Sequence, residues 1–257
     1  FMGIRKRYLP TRDAQATARN RIQGLPDGRK VYENPFPRTG IVGLSSSSSP
    51  MIIKVCGMRD AKNIRQVEQA GADWMGFIDY ERSPRYVKGV PEYLPVSLQK
   101  VGVFVNASLP HIQERIADWH LDFVQLHGKE SPGFCQQLQA TGIKVIKAFS
   151  LRTPEDVQTT EDYIPFCDYF LFDTPCQGYG GSGKSFDWEL LTHYQGSVPF
   201  LLSGGLNPTS LEALAAFHHP RWAGIDLNSG FEQAPGMKDA SSLSTFIHSF
   251  KQNKYNF

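Results

Sequence analysis

From Met51 onward the chain alternates short β-rich runs with longer stretches of mixed polar and apolar residues, and this alternation restricts its fold more than any other feature. The runs are "IIKVC" (52–56), "WMGFI" (74–78), "VGVFV" (101–105), "FVQLH" (123–127), "IKVIKAF" (143–149), "YFLFD" (169–173), "PFLLS" (199–203) and "WAGIDL" (222–227). Helices are predicted to begin near Asp60, Pro91, Leu109, Ser131, Thr153, Asp187, Asn207 and, after the last run, Lys238. Asp60, Ser131, Thr153 and Asp187 each carry a side-chain oxygen able to accept a hydrogen bond from a free amide of the first helical turn. Repeated strand–helix units build a parallel sheet. Eight regular units favour closure into an α/β (β/α)8 TIM barrel over residues 51–257, with a doubly wound open sheet as the alternative.

The first fifty residues are different in kind. They hold nine Lys and Arg against three Asp and Glu, a net +6, whereas residues 51–257 carry a net −4. They pass through Pro10, Pro26, Pro35 and Pro37 into "SSSSSP" without a sustained period of 2 or 3.6 that could bury a face. A disordered or loosely docked extension is expected for residues 1–50. An organelle transit sequence, a nucleic-acid-binding arm, and a tag or upstream read-through are the readings open for it, and translation beginning at Met51 would still yield the whole predicted barrel.

No run approaches the roughly 18 consecutive apolar residues of a membrane span. The four cysteines, Cys56, Cys135, Cys167 and Cys176, lack the short paired spacing of a zinc site and are too few to staple a chain of 257 residues. A cytoplasmic protein with reduced thiols, bound neither to membrane nor to nucleic acid, is expected.

Barrel chemistry is assembled on the loops at the C-terminal ends of the strands. Cys56, Asp173, Ser203-Gly204-Gly205 and Asn228-Ser229-Gly230 all stand at such ends. Cysteine is also a common packing residue, so Cys56 can be read either way. "LLSGGLNP" and "LNSGFE" follow strands seven and eight, where barrels commonly hold a phosphate on exposed backbone amides, with a helix start at Asn207-Pro208 adding a positive dipole end. The ordinary alternative is a pair of tight turns. "GYGGSGKS" (178–185) satisfies the nucleotide-binding pattern G-x-x-x-x-G-K-[ST] letter for letter, but "TPCQ" separates it from strand six and the following helix has its own cap at Asp187. A glycine-rich lid in which Lys184 helps to neutralise or position a substrate is the better reading.

Together these segments resemble the phosphoribosylanthranilate isomerase family of tryptophan biosynthesis. The resemblance spans residues 51–257 and rests on "KVCGM", "GADWMGF", "SPRYV", "VGVFVN", "VQLHG", "FDT", "GGSGKSFDW", "LSGGLNP" and "DLNSGFE" followed by "PGMKD", in that order. Asp79 departs from it, standing where the family usually has an aromatic or apolar residue, and bears on the shape of the anthranilate pocket. The resemblance implies an Amadori rearrangement of N-(5-phosphoribosyl)anthranilate by general acid and base alone, with no metal or cofactor; a monomer or a homodimer is expected, and the sequence does not choose between them. It assigns the acid to Asp173 and the base to Cys56. Arg85 would hold the anthranilate carboxylate with its planar fork. Gln125, His127, Gly181, Lys184, Gly204, Gly205, Asp226, Asn228 and Ser229 complete the expected substrate site.

A sister phosphoribosyl isomerase of histidine biosynthesis would be expected to carry a carboxylate at Cys56. A non-catalytic phosphosugar-binding or regulatory barrel would tolerate loss of the Cys56–Asp173 pair. Alternation along "IIKVC" places Lys54 and Cys56 on one face, so the ammonium is expected to favour the thiolate. The opposing reading is that a carboxylate on another strand neutralises Lys54.

Overall fold

The structure, a computed structural model, describes residues 50–173 and 188–255 together with two short strands at 22–24 and 30–32. The chain divides into two units, Phe1–Ser48 and Ser49–Phe257. In the first, Ile22–Gly24 pairs antiparallel with Lys30–Tyr32, an element the sequence reading did not anticipate. The rest of that unit, and with it the expectation of disorder, lies outside the described residues.

In the second unit eight parallel strands close into a barrel, which decides against the open sheet. They are β1 (Ile52–Val55), β2 (Trp74–Asp79), β3 (Gln99–Phe104), β4 (Phe123–Leu126), β5 (Lys144–Ser150), β6 (Tyr169–Asp173), β7 (Phe200–Ser203) and β8 (Trp222–Leu227), with β8 bonded to both β7 and β1. All eight coincide with the runs read from the sequence to within two residues at either end. Helices α1 (Ala61–Gln69), α2 (Leu109–Asp118), α3 (Pro132–Gln139), α4 (Pro154–Gln158), α5 (Leu211–Ala216) and α6 (Ala240–Tyr255) lie between or after them. Asp60 accepts from Asn63 N at 2.8 Å and Ser131 from Phe134 N at 3.2 Å, and Thr153 forms a capping box with Asp156, as the capping residues predict. Asp187 lies outside the described residues; after it a 3-10 turn, Trp188–His193, stands where a helix was expected.

The helix expected near Pro91 is absent, and residues 80–98 cross from β2 to β3 without one. Glu68 of α1 explains how this segment is held. Its carboxylate accepts from Tyr93 Oη at 2.6 Å, Val96 N at 2.8 Å, and Ser97 N and Oγ at 2.8 and 2.7 Å. Backbone amides that a helix would satisfy internally are satisfied by a neighbouring helix's side chain. A further hairpin missed by the sequence reading, β9 (Glu232–Ala234) and β10 (Met237–Lys238), follows β8.

Strand alternation divides the core in two. Outward residues such as Val55, Phe77, Leu126 and Phe172 pack against the helices. Inward, Trp74, Phe123 and Tyr169 open strands β2, β4 and β6 and form one aromatic layer, with ring centroids 4.3 Å (Trp74–Phe123) and 5.1 Å (Trp74–Tyr169) apart. Layers drawn from alternate strands are how such barrels fill their interior. This layer closes the N-terminal end and leaves the C-terminal end for a site. No helix among the described residues is long and apolar enough to cross a membrane.

Candidate active site

Cys56 is the residue after β1, and its amide extends the barrel ladder by donating to Leu227 O at 2.9 Å. The chain then turns away: Gly57 N and Met58 N both donate to Gly76 O, at 2.9 and 3.0 Å, and Gly57 adopts φ +80°. A Cβ at Gly57 would lie 2.6 Å from Arg85 Cδ and 2.9 Å from Asn228 Oδ1, so both neighbours approach the rim only because that atom is missing. The thiol rests over Gly76 of β2, where a Cβ would come within 2.7 Å of Sγ.

A cavity of about 450 Å³ opens at this end, lined by Cys56, Gln125, His127, Asp173, Gly204, Gly205, Asp226, Asn228 and Ser229 of the residues read from the sequence. Ser203, Tyr80 and Ser83 add hydroxyls, and Ile78, Val103 and Val105 add an apolar wall. Gln125 Nε2 lies 3.0 Å from His127 Nδ1, and His127 Nε2 lies 4.0 Å from Asp173 Oδ2. The buried Gln125 Oε1 has no hydrogen-bond partner among the described residues. Gly204 and Gly205 have φ of +93° and +58°, which bares the backbone beside the cavity. Asn207 caps only a 3-10 turn, Pro208–Ser210, ahead of the six-residue α5, so the helix dipole expected there is weaker than the sequence suggested. Gly181, Lys184 and the rest of the 178–185 segment lie outside the described residues. No cluster of three or more His, Cys, Asp or Glu among the described residues is placed to hold a metal ion.

Two expectations are corrected. Asp79 points away from the cavity, accepting from Arg115 Nε at 3.0 Å and lying 2.8 Å from His111 Nε2, both on α2. It shapes the packing of α2, because odd positions of β2 face the helices. Lys54 does share an inward face with Cys56, but its ammonium donates to Asp226 Oδ1 at 2.9 Å, and the two side chains are 0% and 6% exposed. Burial pushes the Cys56 thiol above its ordinary range, outweighing the downward pull of Lys54 and Lys238, and Asp226 reinforces the rise. Lys54 thus pulls the thiol down as its shared face predicts, but the expected overall lowering is not found, and the opposing reading, a carboxylate from another strand on Lys54, is met by Asp226.

Asp173 has the complementary property. Burial raises its carboxyl above the usual carboxylate range, His127 pulls it down and Asp226 pushes it up. Burial lowers the His127 imidazolium, against the attraction of Asp173. A carboxyl so placed retains a proton further toward neutrality than a solvated one, as a proton donor requires.

Arg85 bonds to Glu232 through one edge, Nε to Oε1 at 2.8 Å and Nη2 to Oε2 at 2.5 Å. Its Nη1 makes no hydrogen bond among the described residues, and Arg85, unlike the other described residues read from the sequence, is not among those that line the cavity. Lys238 also donates to Glu232, at 2.5 Å, and to Asn228 Oδ1 at 2.7 Å. Burial opposes ionisation of Glu232, yet its bonds to Arg85 and Lys238 hold its pKa at about 2. Behind His127, buried Lys147 donates to Gly128 O at 2.9 Å and to Glu130 Oε2 at 3.4 Å, and Glu130 accepts from Gly128 N at 2.9 Å. Glu232, Lys238, Lys147 and Glu130 were not singled out from the sequence; the only signal available was their place beside glycine-rich strand ends.

Residues 53–249 match the family model for N-(5'-phosphoribosyl)anthranilate (PRA) isomerase. An N-(5'-phosphoribosyl)anthranilate isomerase of Phocaeicola vulgatus is 56% identical over 202 residues, covering 79% of this chain and 98% of that protein. Two solved structures share the barrel, each covered to 99% and covering 79% of this chain. One is a phosphoribosyl anthranilate isomerase in complex with reduced 1-(o-carboxyphenylamino)-1-deoxyribulose 5-phosphate, 33% identical with a TM-score of 0.67. The other comprises monomers generated from the dimeric isomerase of Thermotoga maritima, 31% identical with a TM-score of 0.66. With the fold, the rim residues and these likenesses in agreement, the chain belongs to the N-(5'-phosphoribosyl)anthranilate isomerase family.

Proposed function

We propose that the chain catalyses the Amadori rearrangement of N-(5'-phosphoribosyl)anthranilate to 1-(2-carboxyphenylamino)-1-deoxyribulose 5-phosphate, with Asp173 as general acid and Cys56 as general base. The observation that carries these roles is that the Asp173 carboxyl and the Cys56 thiol line one cavity from opposite parts of the rim, β6 and β1. Asp173 gives its proton to the ribose ring oxygen as the C1′–O bond breaks, producing the Schiff base. The Cys56 thiolate then takes the C2′ proton, leaving an enolamine that tautomerises to the ketose. Backbone amides at Gly204, Gly205 and Ser229, with the Asn228 side chain, hold the phosphate. Nη1 of Arg85 receives the anthranilate carboxylate, with the ring against Ile78, Val103 and Val105. The described cysteines are free thiols, in keeping with a cytoplasmic setting. The assembly is a monomer or a homodimer, which sedimentation equilibrium distinguishes.

Asp173→Asn removes the acidic proton and should lower kcat by roughly 10³-fold with the fold unchanged. Cys56→Ser should be nearly inactive while still binding product. Near-normal turnover in either variant removes that residue from the mechanism.

A further inference from the structure

Four hydrogen bonds fix Lys238. Asn63 of α1 grips its backbone, accepting from Lys238 N at 2.7 Å and donating to Lys238 O at 2.9 Å. Asn228 and Glu232 take its ammonium, and the side chain is 0% exposed. Asn228 Oδ1 is the same atom that would touch a Cβ at Gly57, so the ammonium is held beside the Cys56–Gly57 peptide. A lysine held in this way, 175 positions along the chain from its partner Asn63, has been given a place and not merely a surface.

We propose that Lys238 is a positioning residue for the isomerisation, sharing the Glu232 carboxylate with Arg85 so that the rim beside Cys56 carries one uncompensated positive charge. The charges facing the thiol come from four segments. Lys54 of β1 is matched by Asp226 of β8. Arg85, from the segment after β2, and Lys238, from β10, are two cations on the single carboxylate of Glu232. One positive charge remains, and Cys56 interacts electrostatically with Lys54, Asp226, Lys238 and Arg85 alike. Burial alone would keep the thiol protonated, and an uncompensated cation in a poorly solvated rim favours its anion. Lys238 thus supports proton abstraction without itself meeting the reacting carbon. The inference rests on Cys56 being the base.

The test reads the thiol directly. Alkylation of Cys56 by iodoacetamide, followed by mass spectrometry of its peptide across pH, is compared in the full chain, Lys238→Met and Glu232→Gln. Lys238→Met removes the surplus and should reduce the thiolate fraction at neutral pH about tenfold, with a similar loss in kcat. Glu232→Gln enlarges the surplus and should shift the alkylation profile the opposite way, to lower pH. General loosening of the rim would move both variants in one direction, so parallel shifts, or none, overturn the proposal. If Lys238→Met does not fold, the Glu232→Gln profile decides alone: a fall supports the surplus, and an unmoved or raised profile overturns it. Alkylation needs no turnover, so the charge argument can fail while Cys56 remains the base. Conversely, an active Cys56→Ser would refute the base assignment while leaving the alkylation shifts intact.

Discussion

Lys54 holds its charge in the interior of the barrel, and only Asp226 makes that tolerable. Burial works against the ammonium, yet its attraction to Asp226 and Cys56 raises its pKa above the ordinary lysine value. Removing one member of such a pair is costlier than removing both, because the survivor is left desolvated and unpaired. Lys54→Met should therefore lose about 3–5 kcal/mol in urea unfolding, and Lys54→Met with Asp226→Asn should regain most of it. A double variant as unstable as the single would show that the pair is not what the site depends on. Residues of this kind divide what a sequence discloses from what it hides. That Lys54 faces inward follows from local alternation along "IIKVC". That its partner is Asp226, 172 positions away, is a fact of barrel closure and has no local signature. Glu232, Lys238 and Asn63 were overlooked for the same reason, whereas Cys56 and Asp173 were found because strand ends can be read locally.

Elements show the same division. Every strand of the barrel was legible, since each is a short apolar run bounded by turn residues. The missing helix after β2 was misread because Pro91 and the residues after it resemble a helix start, and no pattern within 80–98 shows that Glu68 of α1 will take their amides. Burial opposes ionisation of Glu68, but bonds from Tyr93, Ser97 and Val96 hold its pKa at about 2, below the ordinary 4.5. A depressed carboxylate contributes stability above pH 4.5 and loses it as pH falls through about 2. Glu68→Gln should cost roughly 2 kcal/mol at pH 6, allowing for the carboxylate's partial exposure, and the gap from the parent should close between pH 4.5 and 2. Urea titrations across that range measure it; a gap independent of pH would mean that the bonds do not need the charge.

Across the whole molecule, stability and chemistry occupy opposite ends of one barrel. The floor of Trp74, Phe123 and Tyr169 lies below the Lys54–Asp226 level, and the cavity lies above it. Trp74→Ala should cost about 3–5 kcal/mol yet leave KM and the pH dependence of kcat unchanged well below the unfolding transition. A changed pH dependence would mean that the floor and the rim are coupled. The Lys54–Asp226 pair also has a bearing on how the molecule is made. It spans the seam where the first barrel strand meets the last, and Cys56, the proposed base, lies at that seam with its charged neighbours. On the ribosome, Lys54 and Cys56 emerge early, while Asp226, Asn228, Glu232 and Lys238 arrive only after seven strands have been synthesised. A nascent barrel lacking β8 would present two unpaired sheet edges, a lysine with no counter-ion and a thiol without its neighbours. Such a molecule lacks the charges proposed to serve Cys56, so activity is expected only once the ring is sealed.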